Sequence, residues 1–146
     1  MVNTIVTEAQ SIKEEIIGWR RALHQIPELG TTLPKTIAYI SERLTEMGVE
    51  HVVKEDISCI FATIGSGEKC FLLRGDVDAL PGTEESGLDF ASTNGNMHSC
   101  GHDMHGAALL GAAKILKAHE AELKGQVRLL FQSGEEIFAG ARAAIE

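Results

Sequence analysis

The sequence of 146 residues is poor in basic residues, and this deficit narrows the range of partners. It has 13 lysines and arginines against 21 aspartates and glutamates, which gives a formal net charge of −8. Nucleic acids and anionic membrane surfaces attract basic patches, so we expect neither as a partner. The sequence also lacks a basic leader before an apolar run, and no stretch reaches the roughly 18 apolar residues of a membrane span. We therefore expect a cytoplasmic protein.

Cysteine is scarce as well. Cys59, Cys70 and Cys100 make an odd number and contain no Cys-x-x-Cys pair. This is not the pattern of a small secreted domain held together by disulfides. Cys59 and Cys70 lie in apolar, strand-like runs, where we expect both to pack as small hydrophobic side chains.

The apolar periodicity predicts one domain of alternating helices and strands. Helices are predicted over residues 7–25, 34–47, 103–119 and 139–146, and strands over residues 51–53, 60–64, 70–74 and 127–132. The run Phe71-Leu72-Leu73 has no polar alternation, so its strand is expected to be buried on both faces. This order indicates an α/β three-layer sandwich, in which helices cover both faces of a mixed, mostly buried sheet.

The densest polar segment is residues 98–105, His-Ser-Cys-Gly-His-Asp-Met-His. Cysteine and histidine are the usual ligands of zinc and similar ions. Cys100 and His102 are two residues apart, so in an extended loop their side chains point the same way and can share one ion. Asp103 then suits the N-cap of the next helix, with His105 in its first turn. The alternative is a polar loop in which Asp103 only caps the helix and the histidines face solvent.

Acidic residues follow two of the apolar strands, where ligands of open α/β sheets bind. Glu135 and Glu136 follow the strand 127–132, and such a pair can divide the work between binding a metal and accepting a proton from water. The alternative is a solvated acidic loop. Asp76 and Asp78 follow the strand 70–74, where an aspartate can orient a metal-binding histidine. The triplet Arg74-Gly75-Asp76 could indicate adhesion, but its place beside an apolar strand argues against that.

Four segments in order resemble the M20 family of metal-dependent amidohydrolases and peptidases. They are residues 24–30, 73–81, 98–105 and 135–136. The resemblance is closest to the branch of aminoacylases, hippurate hydrolases and auxin-conjugate hydrolases. It implies hydrolysis of N-acyl amino acids or small peptide-like amides by metal-activated water, in a site with two divalent ions. A site that contains cysteine is compatible with zinc, manganese, cobalt or nickel.

The resemblance also implies roles for individual residues. By position, Cys100, His102 and Glu136 become metal ligands, Glu135 the general base and Asp78 the carboxylate that orients a ligand. No ligand role follows for Asp76, because peptidase relatives have His-x-Asp at this point.

The sequence departs from the family pattern in three places. Ser133-Gly134 stands where the branch usually has Pro-Ala, and residues 33–35 replace an acidic stretch. The family's two remaining histidine ligands and its inserted domain, used for dimerisation and substrate closure, lie beyond Glu146. Residues 1–146 are therefore expected to form the N-terminal portion of the catalytic domain, without the inserted domain. A homo-oligomer or a complementing C-terminal chain could complete the site. The rival hypothesis is a truncated, inactive remnant or assembly partner that keeps the fold.

Overall fold

The computed structural model describes residues 2–146, with side chains described from Thr4 onward. The helices are α1 (Val2–Ser11), α2 (Lys13–His24), α3 (Pro34–Glu46), α4 (His102–Ala118) and α5 (Gly140–Ile145). The strands are β1 (His51–Lys54), β2 (Cys59–Gly65), β3 (Cys70–Asp76), β4 (Leu80–Pro81), β5 (Asn96–Met97) and β6 (Gln126–Gln132). No helix within residues 2–146 combines the length and the apolar character that crossing a membrane requires.

Four strands form one mixed sheet in the order β1-β2-β6-β3. The pairs β1/β2 and β2/β6 are antiparallel, whereas β3 and β6 are parallel. A parallel pair needs a crossover connection, and α4 lies in the one between β3 and β6. The carboxyl ends of these two strands consequently meet at one edge, where Asp76 pairs with Gln132. The α/β class and the mixed sheet predicted from the sequence are confirmed.

Helices α3 and α4 lie directly against the sheet, and α2 packs on α4. The largest fully buried apolar side chains come mostly from these elements, with Leu33 just before α3: Leu23, Leu33, Ile40, Leu44, Ile60, Ile64, Leu110, Leu129 and Phe131. Small residues bring α4 close to its neighbours. A Cβ at Gly111 would lie 2.8 Å from Cδ1 of Ile16 in α2, and one at Gly75 in β3 would lie 3.1 Å from the backbone oxygen of His105. Glycine at both positions therefore sets the spacing of the layers.

The N-terminal helix differs from its prediction, because residues 7–25 belong to two helices. The break lies at Ile12, where φ is −100° and ψ is 11°. The apolar stripe itself is correct, since Trp19 and Leu23 are buried and Ile16 packs against the core. The spacing of apolar residues continues through the break, so the pattern could not reveal it. The other predicted helices and strands lie within two residues of their predicted bounds.

Strand β3 is not buried on both faces as predicted. Phe71, Leu72 and Leu73 are 74%, 61% and 40% exposed. The strand forms the edge of the sheet, and within residues 2–146 no strand pairs with its outer side. Cys70 is exposed for the same reason, whereas Cys59 is buried as predicted. An apolar run predicts burial but does not distinguish an edge strand from a central one.

Candidate metal centre

His102 begins α4 and is only 2% exposed. Its Nδ1 lies 2.9 Å from the backbone oxygen of Asp78. A carbonyl oxygen only accepts hydrogen bonds, so Nδ1 donates and the lone pair of the neutral ring is at Nε2. Gly101, with φ at 89°, turns the chain just before the ring, in a region of backbone space that favours glycine. The loop at Cys100 is thus turned rather than extended as predicted.

Three carboxylates surround Nε2 of His102. It lies 3.8 Å from Oε2 of Glu135 and 3.8 Å from Oε1 of Glu136. It also lies 3.7 Å from Oδ1 of Asp76. These distances are too long for hydrogen bonds. Ligand atoms that each bind one ion at about 2.1 Å are themselves separated by roughly 3–4 Å, so the spacing is that of a site with room for a cation.

Cys100 joins this group. The ligand atoms of Cys100, His102 and Glu136 all lie within 4.8 Å of one another. Interaction with the Glu136 carboxylate, followed by burial and further negative charges, raises the pKa of the Cys100 thiol. A divalent cation in the group would instead stabilise the thiolate.

An unpaired carboxylate oxygen also indicates a place for a cation. Oε1 of Glu136 is buried and has no hydrogen-bond partner among the described residues. Leaving such an atom unpaired is costly, and a cation bound beside it would offset that cost. The donor set of thiol, imidazole and carboxylate therefore fits a divalent metal ion.

Asp78 joins the ends of the two parallel strands. Its Oδ2 accepts a hydrogen bond from the backbone N–H of Glu136 at 3.1 Å. Just before it, the N–H of Val77 donates to the backbone oxygen of Gln132 at 2.8 Å, which continues the pairing of β3 with β6. Through its backbone oxygen Asp78 also fixes His102, so one residue holds two members of the group.

Asp76 is held on both sides, by His105 and by Arg74. Its Oδ1 accepts a hydrogen bond from Nδ1 of His105, and its Oδ2 lies 2.6 Å from Nη1 of Arg74. Burial raises the pKa of Asp76, but the hydrogen bond from His105 and the charges of His102 and Arg74 outweigh burial and lower it. Asp76, His102 and His105 form a second group whose ligand atoms lie within 4.8 Å of one another.

A buried polar cluster beside the site was not predicted from the sequence. His24, 5% exposed, places Nδ1 2.7 Å from Oδ2 of Asp103 and Nε2 2.9 Å from Oε1 of Glu84. Nε of Arg20 lies 2.6 Å from the same oxygen of Asp103. Asp103 is therefore not the N-cap of α4 as predicted. The N-cap is Gly101, and the Asp103 side chain points to α2 instead.

Glu84 ties the loop between β4 and β5, residues 82–95, to this cluster. Hydrogen bonds with His24, with the Ser86 hydroxyl and with the backbone N–H of Ser92 lower the pKa of Glu84 to about 2. Its side chain is 3% exposed. The loop that leads to Cys100 is thus anchored to α2 through an ionised carboxylate.

The histidines of the segment 98–105 differ in their surroundings. His98 is 6% exposed, and neither of its ring nitrogens has a hydrogen-bond partner within residues 2–146. Burial lowers the pKa of His98 to about 4, so this ring is neutral near pH 7. Only His105 has a largely exposed side chain, at 54%. The alternative in which all these histidines face solvent is therefore wrong.

The family model of peptidase family M20/M25/M40 matches residues 72–146, which contain most of β3, all of α4 and β6, and all the residues of the ligand group. The chain belongs to this family.

Individual relatives match nearly all of this M20 chain. It is 45% identical over 139 residues to N-acetyl-L-cysteine deacetylase of Bacillus subtilis. The alignment covers 93% of this chain and 33% of the relative. It is 39% identical over 132 residues to N-acyl-L-amino acid amidohydrolase of Geobacillus stearothermophilus. This alignment covers 88% of this chain and 36% of the relative. The chain thus spans about a third of the length of these curated relatives.

A solved M20 structure matches the fold. The YXEP protein of Bacillus subtilis, a dinuclear metal-binding peptidase of the M20 family, superimposes with a TM-score of 0.87 at 40% identity. The match covers 93% of this chain and 39% of that protein. The family and the α/β fold expected from the four sequence segments are confirmed.

One departure from the usual M20 pattern has a structural reason. Gly134 lies in the turn before Glu135, with φ at +65°. A Cβ at this position would lie 2.8 Å from Cγ2 of Thr31 and 3.1 Å from the backbone nitrogen of Gly140. Glycine in place of the usual alanine therefore fits the tight turn that carries the two glutamates.

Proposed function

We propose that this chain is the N-terminal portion of the catalytic domain of a metal-dependent amidohydrolase for N-acyl amino acids or small peptide-like amides. The observation that carries the proposal is the convergence of Cys100, His102 and Glu136 at the carboxyl ends of β3 and β6, within 4.8 Å of one another. Two relatives, a deacetylase and an amidohydrolase of N-acyl amino acids, support this class of substrate.

In this proposal Sγ of Cys100, Nε2 of His102 and the Glu136 carboxylate hold the ion. Thiolate suits zinc, imidazole suits zinc and nickel, and carboxylate suits manganese, so this mixed ligand set is compatible with zinc, manganese, cobalt or nickel. When bound, a divalent ion polarises the amide carbonyl and favours the deprotonation of water. The dinuclear centre of the YXEP protein supports a second ion in the complete enzyme. The further ligands, and the inserted domain that closes over substrate, come from outside these residues.

Glu135 is the proposed general base. Its carboxylate lies 3.8 Å from His102 and is 38% exposed, so it is beside the ligand group and open to substrate and water. It takes one proton from the attacking water as the water oxygen adds to the amide carbon. The tetrahedral intermediate then collapses, the C–N bond breaks, and Glu135 passes the proton to the leaving amine. The products are a carboxylic acid and an amine.

Asp78 is the proposed positioning residue. Its backbone oxygen orients His102, and its side chain accepts the hydrogen bond from the N–H of Glu136. Holding the ring in one tautomer keeps its lone pair at Nε2, the atom that would bind the ion.

The substitution Glu135→Gln in the complete enzyme tests the proposal. It removes the base but keeps the size of the side chain, so we expect turnover to fall by at least about 100-fold. Metal content per chain should stay the same, because Glu135 is not a proposed ligand. Glu85 is exposed and offers a control, since Glu85→Gln should change neither quantity. Turnover that survives Glu135→Gln contradicts the assigned base, and loss of metal makes Glu135 a ligand instead.

A further inference from the structure

Two groups of side chains compete for one nitrogen atom. His102 belongs both to the group with Cys100 and Glu136 and to the group with Asp76 and His105. Its Nδ1 is committed to the backbone oxygen of Asp78, so only Nε2 can bind an ion. One lone pair binds one ion. The question is therefore which of the two groups supplies the other ligands of that ion.

By its position, Asp76 could be a ligand of this ion. Its Oδ1 lies 3.7 Å from Nε2 of His102, closer than the 3.8 Å that separates this nitrogen from Glu136. Its side chain is 5% exposed and follows β3 at the same edge of the sheet. Distance and burial alone would therefore admit Asp76 as a ligand.

Each oxygen of Asp76 already has a partner. Oδ2 pairs with Nη1 of Arg74 at 2.6 Å, and Nε of Arg74 is itself held by Oε1 of Gln132 at 3.0 Å. Oδ1, the oxygen that faces His102, accepts the hydrogen bond from Nδ1 of His105. The N–H of His105 thus competes with an ion for Oδ1 of Asp76.

We propose that His105 is a positioning residue that keeps Asp76 out of the ligand set, so that the Cys100 thiolate joins His102 instead. This inference rests on the proposed metal-binding function. Its consequence is a choice of metal, since thiolate ligands favour zinc and cobalt whereas carboxylates favour manganese and magnesium. His105 acts through Asp76 and does not itself bind the ion.

The geometry argues against His105 as a ligand. The rings of His105 and His102 are stacked, with centroids 5.4 Å apart and an interplanar angle of 22°. The lone pair of an imidazole lies in the plane of its ring. Two nearly parallel rings therefore direct their lone pairs along separate planes rather than to one ion between them.

The proposal is tested by asking whether His105→Ala restores the metal affinity that Cys100→Ala removes. Cobalt(II) is titrated into the parent chain, Cys100→Ala, and Cys100→Ala combined with His105→Ala, and binding is followed by dialysis with elemental analysis and by the thiolate-to-cobalt absorption band. We expect the parent to bind with the band and Cys100→Ala to bind at least about tenfold more weakly. Adding His105→Ala should recover about tenfold in affinity without the band, because Oδ1 of Asp76 is released to the ion.

Two further variants control for structure. His105→Asn keeps a side-chain N–H near Asp76, so Cys100→Ala with His105→Asn should bind as weakly as Cys100→Ala alone. Adding Asp76→Asn to the recovered variant should remove the recovered binding. Thermal melts of all variants identify any that fail to fold.

The outcomes separate this inference from the proposed function. A parent that binds no cobalt overturns both. A parent that binds with the thiolate band, and a double variant no better than Cys100→Ala, overturns only the role of His105. Binding that survives Cys100→Ala and is lost with His105→Ala makes His105 a ligand and also overturns the inference.

Discussion

Asp78 and Glu136 are joined by a hydrogen bond of 3.1 Å in which the backbone N–H of Glu136 donates to Oδ2 of Asp78. This bond connects the chain after β3 to the chain after β6. Because the backbone oxygen of Asp78 also fixes His102, a single aspartate positions two proposed ligands from different elements. Metal affinity should then depend on a residue that does not bind the metal.

Replacing Asp78 by alanine should weaken metal binding by about 10- to 100-fold, the usual effect of losing a group that orients ligands. Asp78→Asn should lose less, because the amide oxygen of asparagine can still accept the N–H of Glu136. Both affinities can be measured by titration with zinc or cobalt. Equal affinity in the parent and in Asp78→Ala would show that the contact to Glu136 does not matter for the site.

The pair of Glu84 and His24 predicts a pH dependence of stability. The pKa of Glu84 is about 2 in the folded protein against an ordinary value of 4.5. A carboxyl whose pKa is lowered by folding stabilises the folded state above its unfolded pKa, and this stabilisation is lost as pH falls through the folded pKa. Glu84→Gln should therefore lower the free energy of unfolding by about 1–3 kcal/mol at pH 7. The difference from the parent should shrink between about pH 4.5 and 2.

Urea unfolding of the parent and Glu84→Gln at a series of pH values measures this effect. Glu85→Gln is the matched control, because Glu85 is adjacent and exposed. A difference between the parent and Glu84→Gln that stays constant down to pH 3 would mean that the carboxylate charge is not what anchors the loop.

Much of the fold could be predicted because its signals are local. The spacing of Ile16, Trp19 and Leu23 marks the buried face of α2, and Pro34 marks the start of α3. The proposed ligands were also found from short segments, since Cys100 and His102 are two residues apart and Glu136 follows an apolar strand. Each of these signals lies within a few residues of the feature that it predicts.

The features that the sequence did not reveal depend on contacts between distant residues. His24 meets Glu84 across 60 positions and Asp103 across 79, and no local pattern records such a pairing. Asp103 has the local signature of an N-cap, but the buried His24 offers its carboxylate a stronger partner. The exposure of Phe71 similarly depends on strand order, which the apolar run itself does not encode.

The exposed edge of β3 predicts self-association of the chain. Edge strands with apolar side chains and open backbone groups pair readily with other strands. Leu72, 61% exposed, lies in the middle of this edge. We expect sedimentation velocity to show association that grows with concentration, and Leu72→Lys to reduce it.

The matched control for the edge is Val6→Lys in α1, since Val6 is also apolar and 51% exposed but lies outside the sheet. This variant should associate like the parent. A chain that remains monomeric at every concentration, or equal effects of the two lysines, would rule out association through β3.

Elemental analysis of the purified chain shows directly whether Cys100, His102 and Glu136 form a metal site. The parent is compared with Cys100→Ala/His102→Ala and with a control, Cys70→Ala/His119→Ala, which removes a cysteine and a histidine elsewhere. We expect about one divalent ion per chain in the parent and the control, and none in the site variant. Equal metal in all three, or none in the parent, would contradict it.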